Sequence, residues 1–126
     1  MKANLNQISK QFHKCSKNKG FWDEKREIGT LLMLIVSELS EALEADRKTK
    51  HANLSAFEYR EEDRKLPEDF ICDFQELIKD TFEDEIADTF IRLFDLVGHL
   101  GIDIEKHIEL KMKYNQSREY KHGKKY

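Results

Sequence analysis

The stretch LLMLIVSELSEALEADR, residues 31–47, decides the fold, because its apolar residues recur at helical spacing over roughly four turns. With Ile28 ahead of it, the pattern predicts a helix that starts after Asp23, a candidate N-cap, and ends near Arg47. An amphipathic helix of this length needs other helices to cover its apolar side. The stretch therefore indicates an all-α protein.

Three other long segments repeat the helical spacing, from about Leu5 to Lys17, from near Asp80 to Gly101, and from Asp103 to about Arg118. Asp80 with Glu83 fits a capping box, and Asp103 can cap the last helix. Residues 48–66 are polar and aperiodic, which predicts a loop or a mobile insertion, and Pro67 opens a short helix over about 68–77. No strand-like alternation is present. We expect a four-helix bundle with a loop or short helix inserted between the second and third long helices.

Composition narrows the protein class. The 126 residues suit a single domain (residues 1–126), and 37% of them are charged, which is typical of helices with wide solvated faces. No apolar run approaches the roughly 20 residues of a membrane span, and the N-terminus lacks an apolar signal core, so we expect no membrane partner. Cys15 and Cys72 form no CxxC pair, which favours a reduced, cytoplasmic protein.

Charge is unevenly distributed behind a net charge of −3. Residues 56–88 are acidic, and the chain from Lys111 onward is basic. This pattern has two interpretations, a metal site beside an anion site, or solvated faces with a disordered tail. The basic tail alone, with no recognition motif and an acidic centre, does not predict nucleic-acid binding.

Two acid-x-x-acid pairs occupy equivalent positions on the second and third long helices. Taking about 100° per residue, Glu38 and Glu41 border the apolar arc of the second helix, whereas Glu44 points away. Glu85 and Asp88 repeat the layout on the third helix. If the apolar seams pack together, four carboxylates converge.

Gathered carboxylates repel one another unless a cation compensates them. Arg92 is the best nearby side chain, and a divalent ion is a stronger solution. Carboxylate oxygens suit Mg²⁺, or Mn²⁺ in its place, rather than zinc, and no Cys or His lies at ligand spacing beside either pair. The alternative is that each pair belongs to an ordinary solvated helix face.

The sequence resembles the MazG-like, all-α nucleoside triphosphate pyrophosphatases. The resemblance rests on E38-L-S-E41 and E85-I-A-D88, with support from K19-G-F-W-D23, K111-M-K-Y-N-Q-S-R118 and Y120-K-H-G-K-K-Y126. Together these cover most of the chain outside residues 48–79. Two departures are Ser37, where the family often has a further Glu, and the long acidic stretch at 48–79, which bears on substrate choice.

The resemblance implies hydrolysis of a ribo- or deoxynucleoside triphosphate to the monophosphate and pyrophosphate, in nucleotide pool sanitation. It assigns Mg²⁺ binding to Glu38, Glu41, Glu85 and Asp88. It also implies that the protein forms a homodimer or homotetramer. Glu41 is the favoured general base, with Glu38 the other catalytic candidate. The alternative is a non-catalytic helical module that binds a metal or a protein partner.

Substrate contacts are predicted on the remaining conspicuous residues. Lys111, Asn115 and Arg118 share one helix face and would grip phosphate oxygens, or else form an exposed basic helix end. An aromatic ring at Trp22 would stack on the base, or plug the bundle. His13 and Tyr114 would contact the nucleoside, or have no role, and we interpret His99 as incidental or as supporting the Asp88–Arg92 face. Lys121, Lys124 and Lys125 would close over the phosphates, or belong to a frayed basic tail at 119–126.

Overall fold

The regular structure of residues 4–126, which the computed structural model describes, is entirely helical. Short 3₁₀ turns lie at Glu61–Asp63 and Tyr120–Gly123. The α-helices are α1 (Leu5–Asn18), α2 (Ile28–Arg47), α3 (Leu54–Tyr59), α4 (Pro67–Leu77), α5 (Phe82–Leu100) and α6 (Ile104–Gln116). The all-α prediction is confirmed, while the four-helix arrangement itself stays a prediction. Within the described residues, no helix has both the length and the apolar content that crossing a membrane requires.

The chain forms two compact units. One unit is Lys25–Leu93, which holds α2, α3, α4 and the first part of α5. The other unit joins the residues up to Glu24 with Phe94–Tyr126, and so holds α1, the last part of α5 and α6. Both acid pairs fall in the first unit, and the predicted nucleoside and tail residues fall in the second.

Two predicted helix caps were wrong, each for a local reason. Glu27, not Asp23, precedes α2, and its side chain makes no capping hydrogen bond. Asp80 adopts a left-handed backbone with φ of 59° and stands one residue too early to cap α5. The Thr81 hydroxyl accepts from the Asp84 amide at 3.3 Å, so Thr81 caps α5, and the Asp84 carboxylate accepts from the amide of Asp80, the residue before the cap, at 2.9 Å. The predicted cap at Asp103 is confirmed, since it accepts from the Lys106 amide.

The buried face of α2 is narrower than its apolar arc. The residues buried on this helix are Leu31, Ile35, Glu38, Ala42 and Ala45. This row has the three- and four-residue spacing of one helix face, and Glu38 stands in its centre rather than at its border. Leu39 and Leu43, two leucines of the apolar arc, are about half exposed, at 47% and 50%. The helix therefore presents a second apolar row outside its own unit's core.

The segment between α2 and α5 is ordered by ion pairs, although residues 48–66 were predicted to be a loop or mobile insertion. The part of that prediction covering 54–59 and 61–63 was wrong, whereas the short helix at about 68–77 is confirmed as α4. Asp73 on α4 accepts from Arg64 Nε at 2.9 Å and from Arg60 at 3.1 Å. The Arg64 guanidinium also lies over the Phe57 ring at 3.9 Å. The charged residues that interrupt the helical period in the sequence are therefore the ones whose ion pairs and ring contacts stabilise this segment.

In the other unit, α1 lies closely against the last turns of α5. Ser9 on α1 is buried, and a Cβ built on Gly98 would come within 2.9 Å of its carbonyl carbon, so only glycine fits there. Phe12 and Phe94 pack edge to face with ring centroids 5.9 Å apart. Asn6 ties α1 to the start of α6, donating to Asp103 at 2.8 Å.

Candidate functional site

Three of the four predicted carboxylates meet in the unit Lys25–Leu93. Glu38 and Glu41 come from successive turns of α2, and Glu85 comes from the first turn of α5. Each offers one oxygen, and the three oxygens lie within 4.8 Å of one another. Glu38 and Glu85 are 7% and 6% exposed, whereas Glu41 is exposed. The cluster thus has a buried base and one side open to solvent.

Local sequence explains how these acids are held. Glu38 lies in the buried row of α2, with apolar residues a turn away on either side. Thr81 fixes where α5 begins and so puts Glu85 in the first helical turn, together with Glu83 and Asp84. The positive end of the helix dipole offsets part of the cost of placing acids there.

Repulsion within the cluster shows in its pKa values. Burial, a hydrogen bond with Glu41 and the charge of Glu41 raise the pKa of Glu85 to about 7. Burial and then the charge of Asp84 raise the pKa of Asp88, and Glu38 adds to that rise. Asp88 is half-buried one turn beyond Glu85, and it lies outside the group of three oxygens that come within 4.8 Å. The cluster therefore favours an additional positive charge.

Arg92 supplies one positive charge to these acids. Its Nε donates to Glu38 Oε1 at 2.5 Å, which matches its choice from sequence as the best nearby cation. The Glu38 side chain is 10% exposed and the Arg92 side chain 38%. A single guanidinium compensates only part of the charge of four nearby carboxylates, so Glu85 and Asp88 still keep raised pKa values.

The donor set fits a hard divalent cation. All the candidate ligand atoms are carboxylate oxygens, as Mg²⁺ and Mn²⁺ prefer, and Mg²⁺ requires only a few carboxylates because it retains waters. Asp80, Asp84 and Glu85 form a second such group with oxygens within 4.8 Å, so Glu85 is common to both groups. The residues that would hold an ion are Glu38, Glu41 and Glu85, with Asp88 close by.

Trp22 and His13 belong to a polar cluster in the other unit. The indole Nε1 of Trp22 donates to both Asp95 oxygens and to Ser16 Oγ, each at 3.1 Å, and His13 Nδ1 lies 2.8 Å from Asp95 Oδ1. His99 stacks on Trp22, with ring centroids 4.0 Å apart and planes 20° from parallel. The His99 ring thus packs against Trp22, and our interpretation of His99 as incidental or as supporting the Asp88–Arg92 face stays a prediction.

Sequence reasoning missed Asp95, which is buried and joins this cluster together. A signal was present, since Asp95 is an acid inside the apolar run L93-F-D-L-V97. Charged residues are seldom fully buried unless they are paired. An acid in such a run therefore predicts nearby hydrogen-bond donors, here the indole of Trp22 and the imidazole of His13.

Two of the predicted phosphate-binding residues, Lys111 on α6 and Arg118 just after it, lie near the Tyr114 ring. Lys111 Nζ lies 5.2 Å from the Tyr114 ring centroid, and the guanidinium carbon of Arg118 lies 5.5 Å from it. Asn115 Oδ1 is buried and finds no hydrogen-bond partner among the described residues. In the tail, Lys121 Nζ lies 5.7 Å from the Tyr120 ring, and Lys124 and Lys125 are exposed. Lys111 and Arg118 thus place two positive charges near one aromatic ring.

Comparison with known proteins gives no assignment: no family model matches the chain, and no curated protein or solved structure matches it significantly.

Proposed function

We propose that this protein is a Mg²⁺-dependent nucleotide pyrophosphohydrolase of the MazG-like kind. It would convert a ribo- or deoxynucleoside triphosphate and water to the monophosphate and pyrophosphate, in nucleotide pool sanitation. The observation that carries the proposal is the meeting of Glu38, Glu41 and Glu85 oxygens within 4.8 Å. These residues come from the two sequence motifs that resemble the family, and the proximity of their carboxylates suits a cation.

Residue roles follow from exposure and pairing. Mg²⁺ held by these carboxylates would supply charge neutralisation and Lewis-acid polarisation of the phosphates. Glu41 is exposed, so it can reach a water, and it is the general base of the proposal. Glu38 is held by Arg92 and acts as a fixed ligand. Water oxygen would bond to the α-phosphorus while Glu41 takes its proton, and the bond to the bridging oxygen breaks to release pyrophosphate.

The nucleoside and phosphate contacts predicted from sequence remain part of this proposal. Trp22 and His13 would contact the nucleoside, and Tyr114 would do so as well. The anion-binding residues would be Lys111, Asn115, Arg118, Lys121 and Lys124.

A second copy of the chain would cover the outer apolar row of α2, giving a homodimer or homotetramer. This row is Ile28, Leu32, Val36, Leu39 and Leu43, each between 47% and 50% exposed. Its spacing is that of one continuous helix face. A row of this kind on a small domain buries useful area when two copies pair.

The decisive experiment is a product assay over a panel of ribo- and deoxynucleoside triphosphates with Mg²⁺. We expect pyrophosphate and a monophosphate from at least one nucleotide, with activity lost in Glu38→Gln and Asp88→Asn. Glu27→Gln, at an exposed acid that directly precedes the same helix, is the matched control and should retain activity. Orthophosphate with a nucleoside diphosphate would contradict attack at the α-phosphorus.

The competing function is a non-catalytic module in which the acids bind a structural ion or a basic partner. Turnover of no nucleotide in the panel would overturn the hydrolase. A Mg²⁺-dependent rise in melting temperature without turnover would then indicate a metal-binding module, and no rise would indicate a protein-interaction module.

A further inference from the structure

A charged pocket of about 300 Å³ opens beside the carboxylate cluster, in the unit Lys25–Leu93. Two cluster members, Glu41 and Glu85, line it together with lysines from the connection that follows α2. Its full lining is Glu41, Glu44, Ala45, Lys48, Lys50, Asp80 and Glu85. Acidic and basic side chains therefore share one small cavity, which distinguishes it from a purely acidic surface.

The backbone fixes the lysines relative to the acids. The Lys50 amide donates to the Ala45 carbonyl at 2.8 Å, and the Lys50 carbonyl accepts from the Phe82 amide at 2.9 Å. Lys50 is thereby tied both to the end of α2, which carries Glu41, and to the start of α5, which carries Glu85. Lys48 caps α2, and its Nζ lies 3.3 Å from Glu44. Within residues 4–126, no carboxylate forms an ion pair with the Lys50 side chain.

The charge balance selects the ligand. Four acids and two lysines line the pocket, so by itself it repels anions. A divalent ion on the cluster brings the formal charge of this lining from −2 to zero, and the lysines then complement an anion that also binds the ion. Phosphate chains do both, because their oxygens coordinate Mg²⁺ and accept from ammonium groups. A volume of about 300 Å³ is at the low end for small-molecule sites, which suits a diphosphate group without its nucleoside.

We propose that Lys48 and Lys50 form a subsite for the β- and γ-phosphates of the nucleotide and for the pyrophosphate that leaves. The inference rests on the proposed hydrolase function. It also orients the triphosphate, whose terminal phosphates would lie towards the connection after α2. Lysine ammonium groups there offset the charge that the leaving pyrophosphate gains as the bond to the α-phosphorus breaks.

Binding of inorganic pyrophosphate tests the subsite directly. Isothermal titration of the whole protein with pyrophosphate should give binding in the presence of Mg²⁺ and none without it. Lys50→Ala and Lys48→Ala should each weaken that binding by about tenfold or more, the scale of one charge-assisted hydrogen bond. Lys25→Ala removes the same charge from an exposed site outside the pocket, 88% exposed, and should bind pyrophosphate as the wild type does.

Mg²⁺ titration without pyrophosphate separates anion binding from a structural role. Removing a positive charge near the acids should leave Mg²⁺ affinity equal or higher in both lysine variants. Loss of Mg²⁺ affinity together with pyrophosphate affinity would indicate a collapsed site and overturn the subsite. Unchanged pyrophosphate affinity in both variants would overturn it as well.

Failure of the subsite and failure of the hydrolase give different results. If the wild type hydrolyses nucleotides but both lysine variants keep its pyrophosphate affinity and its KM, the hydrolase proposal stands and the subsite proposal is overturned. Lysine-dependent binding of pyrophosphate without hydrolysis of any nucleotide supports the diphosphate subsite and overturns the hydrolase.

Discussion

Replacing Glu85 by Gln should make the metal-free protein more stable at alkaline pH. The substitution preserves the shape of the side chain and removes its charge. Glu85 is 6% exposed, and burial with the neighbouring Glu41 raises its pKa to about 7. An acid whose pKa is higher in the folded state than in the unfolded state destabilises the fold once it ionises.

The magnitude follows from the size of that rise. The pKa of Glu85 goes from 4.5 to about 7, and one pKa unit corresponds to about 1.4 kcal/mol, so ionisation costs at most about 3 kcal/mol. The sign is set by proton binding: between about 4.5 and about 7 the folded protein holds a proton that the unfolded chain has lost. The contribution of Glu85 to the free energy of unfolding therefore falls as the pH rises through that window and stays constant at higher pH.

Urea unfolding in EDTA, at one protein concentration, measures the effect. Wild type and Glu85→Gln should be nearly equal at about pH 4, and the variant should gain up to about 3 kcal/mol by about pH 8. Glu44→Gln is the control, because Glu44 is 52% exposed and its loss should change stability by about 0.5 kcal/mol or less. Added Mg²⁺ should raise the melting temperature of the wild type more than that of Glu85→Gln.

Two outcomes would refute this reasoning. Glu85→Gln could be less stable than the wild type at about pH 8 in EDTA, which would mean that the carboxylate is compensated in the folded protein. The gain could also be the same at both pH values, which would separate it from the ionisation of Glu85.

Three other substitutions test separate parts of the molecule. Val36→Glu should halve the molar mass seen by light scattering, or reduce it further, since it places a charge in the outer row of α2; an unchanged mass would contradict the proposed assembly. Gly98→Ala should lower the free energy of unfolding by about 1–3 kcal/mol, because the new Cβ meets the Ser9 backbone, and an unchanged urea midpoint would contradict that close approach. Arg64 lowers the pKa of Asp73 below its usual value of 3.8 through a hydrogen bond. The pair therefore stabilises the fold above about pH 3.8, and this stabilisation is lost as the pH falls further. Arg64→Met should therefore flatten the loss of stability on acidification below about pH 4, and an unaltered acid profile would show that the pair contributes nothing.

Local signals predicted the helices well because each depends on neighbouring residues. The periodic segments and Pro67 gave α1, α2, α4, α5 and α6, and the short polar side chain of Asp103 gave a correct cap. The convergence of Glu38, Glu41 and Glu85 also followed from pattern, because two helices with the same plan were matched along their seams. The pattern did not predict that Thr81 rather than Asp80 caps α5, because both residue types can cap a helix. Only the left-handed backbone at Asp80 excludes Asp80 as the cap.

Features that depend on distant partners were beyond the sequence. The apolar arc of α2 is wide enough for two rows, and its sequence does not indicate that Leu39 belongs to the row that stays half exposed. Ion pairs such as Arg64 with Asp73 order α3 and α4 without any periodic signal. A buried acid such as Asp95 identifies a polar contact but not the indole and imidazole that meet it.

The ion pair between Arg92 and Glu38 has a consequence for ion discrimination. Because Nε of Arg92 already donates to Glu38 Oε1 at 2.5 Å, an entering ion meets a carboxylate whose charge a guanidinium has partly offset. A monovalent ion adds one unit of positive charge to the cluster, whereas a divalent ion adds two and attracts Glu41 and Glu85 twice as strongly at the same distance. The internal counterion thus lowers the attraction for every cation and leaves divalent ions with the larger remaining gain, so sodium or potassium should leave the cluster to the divalent ions.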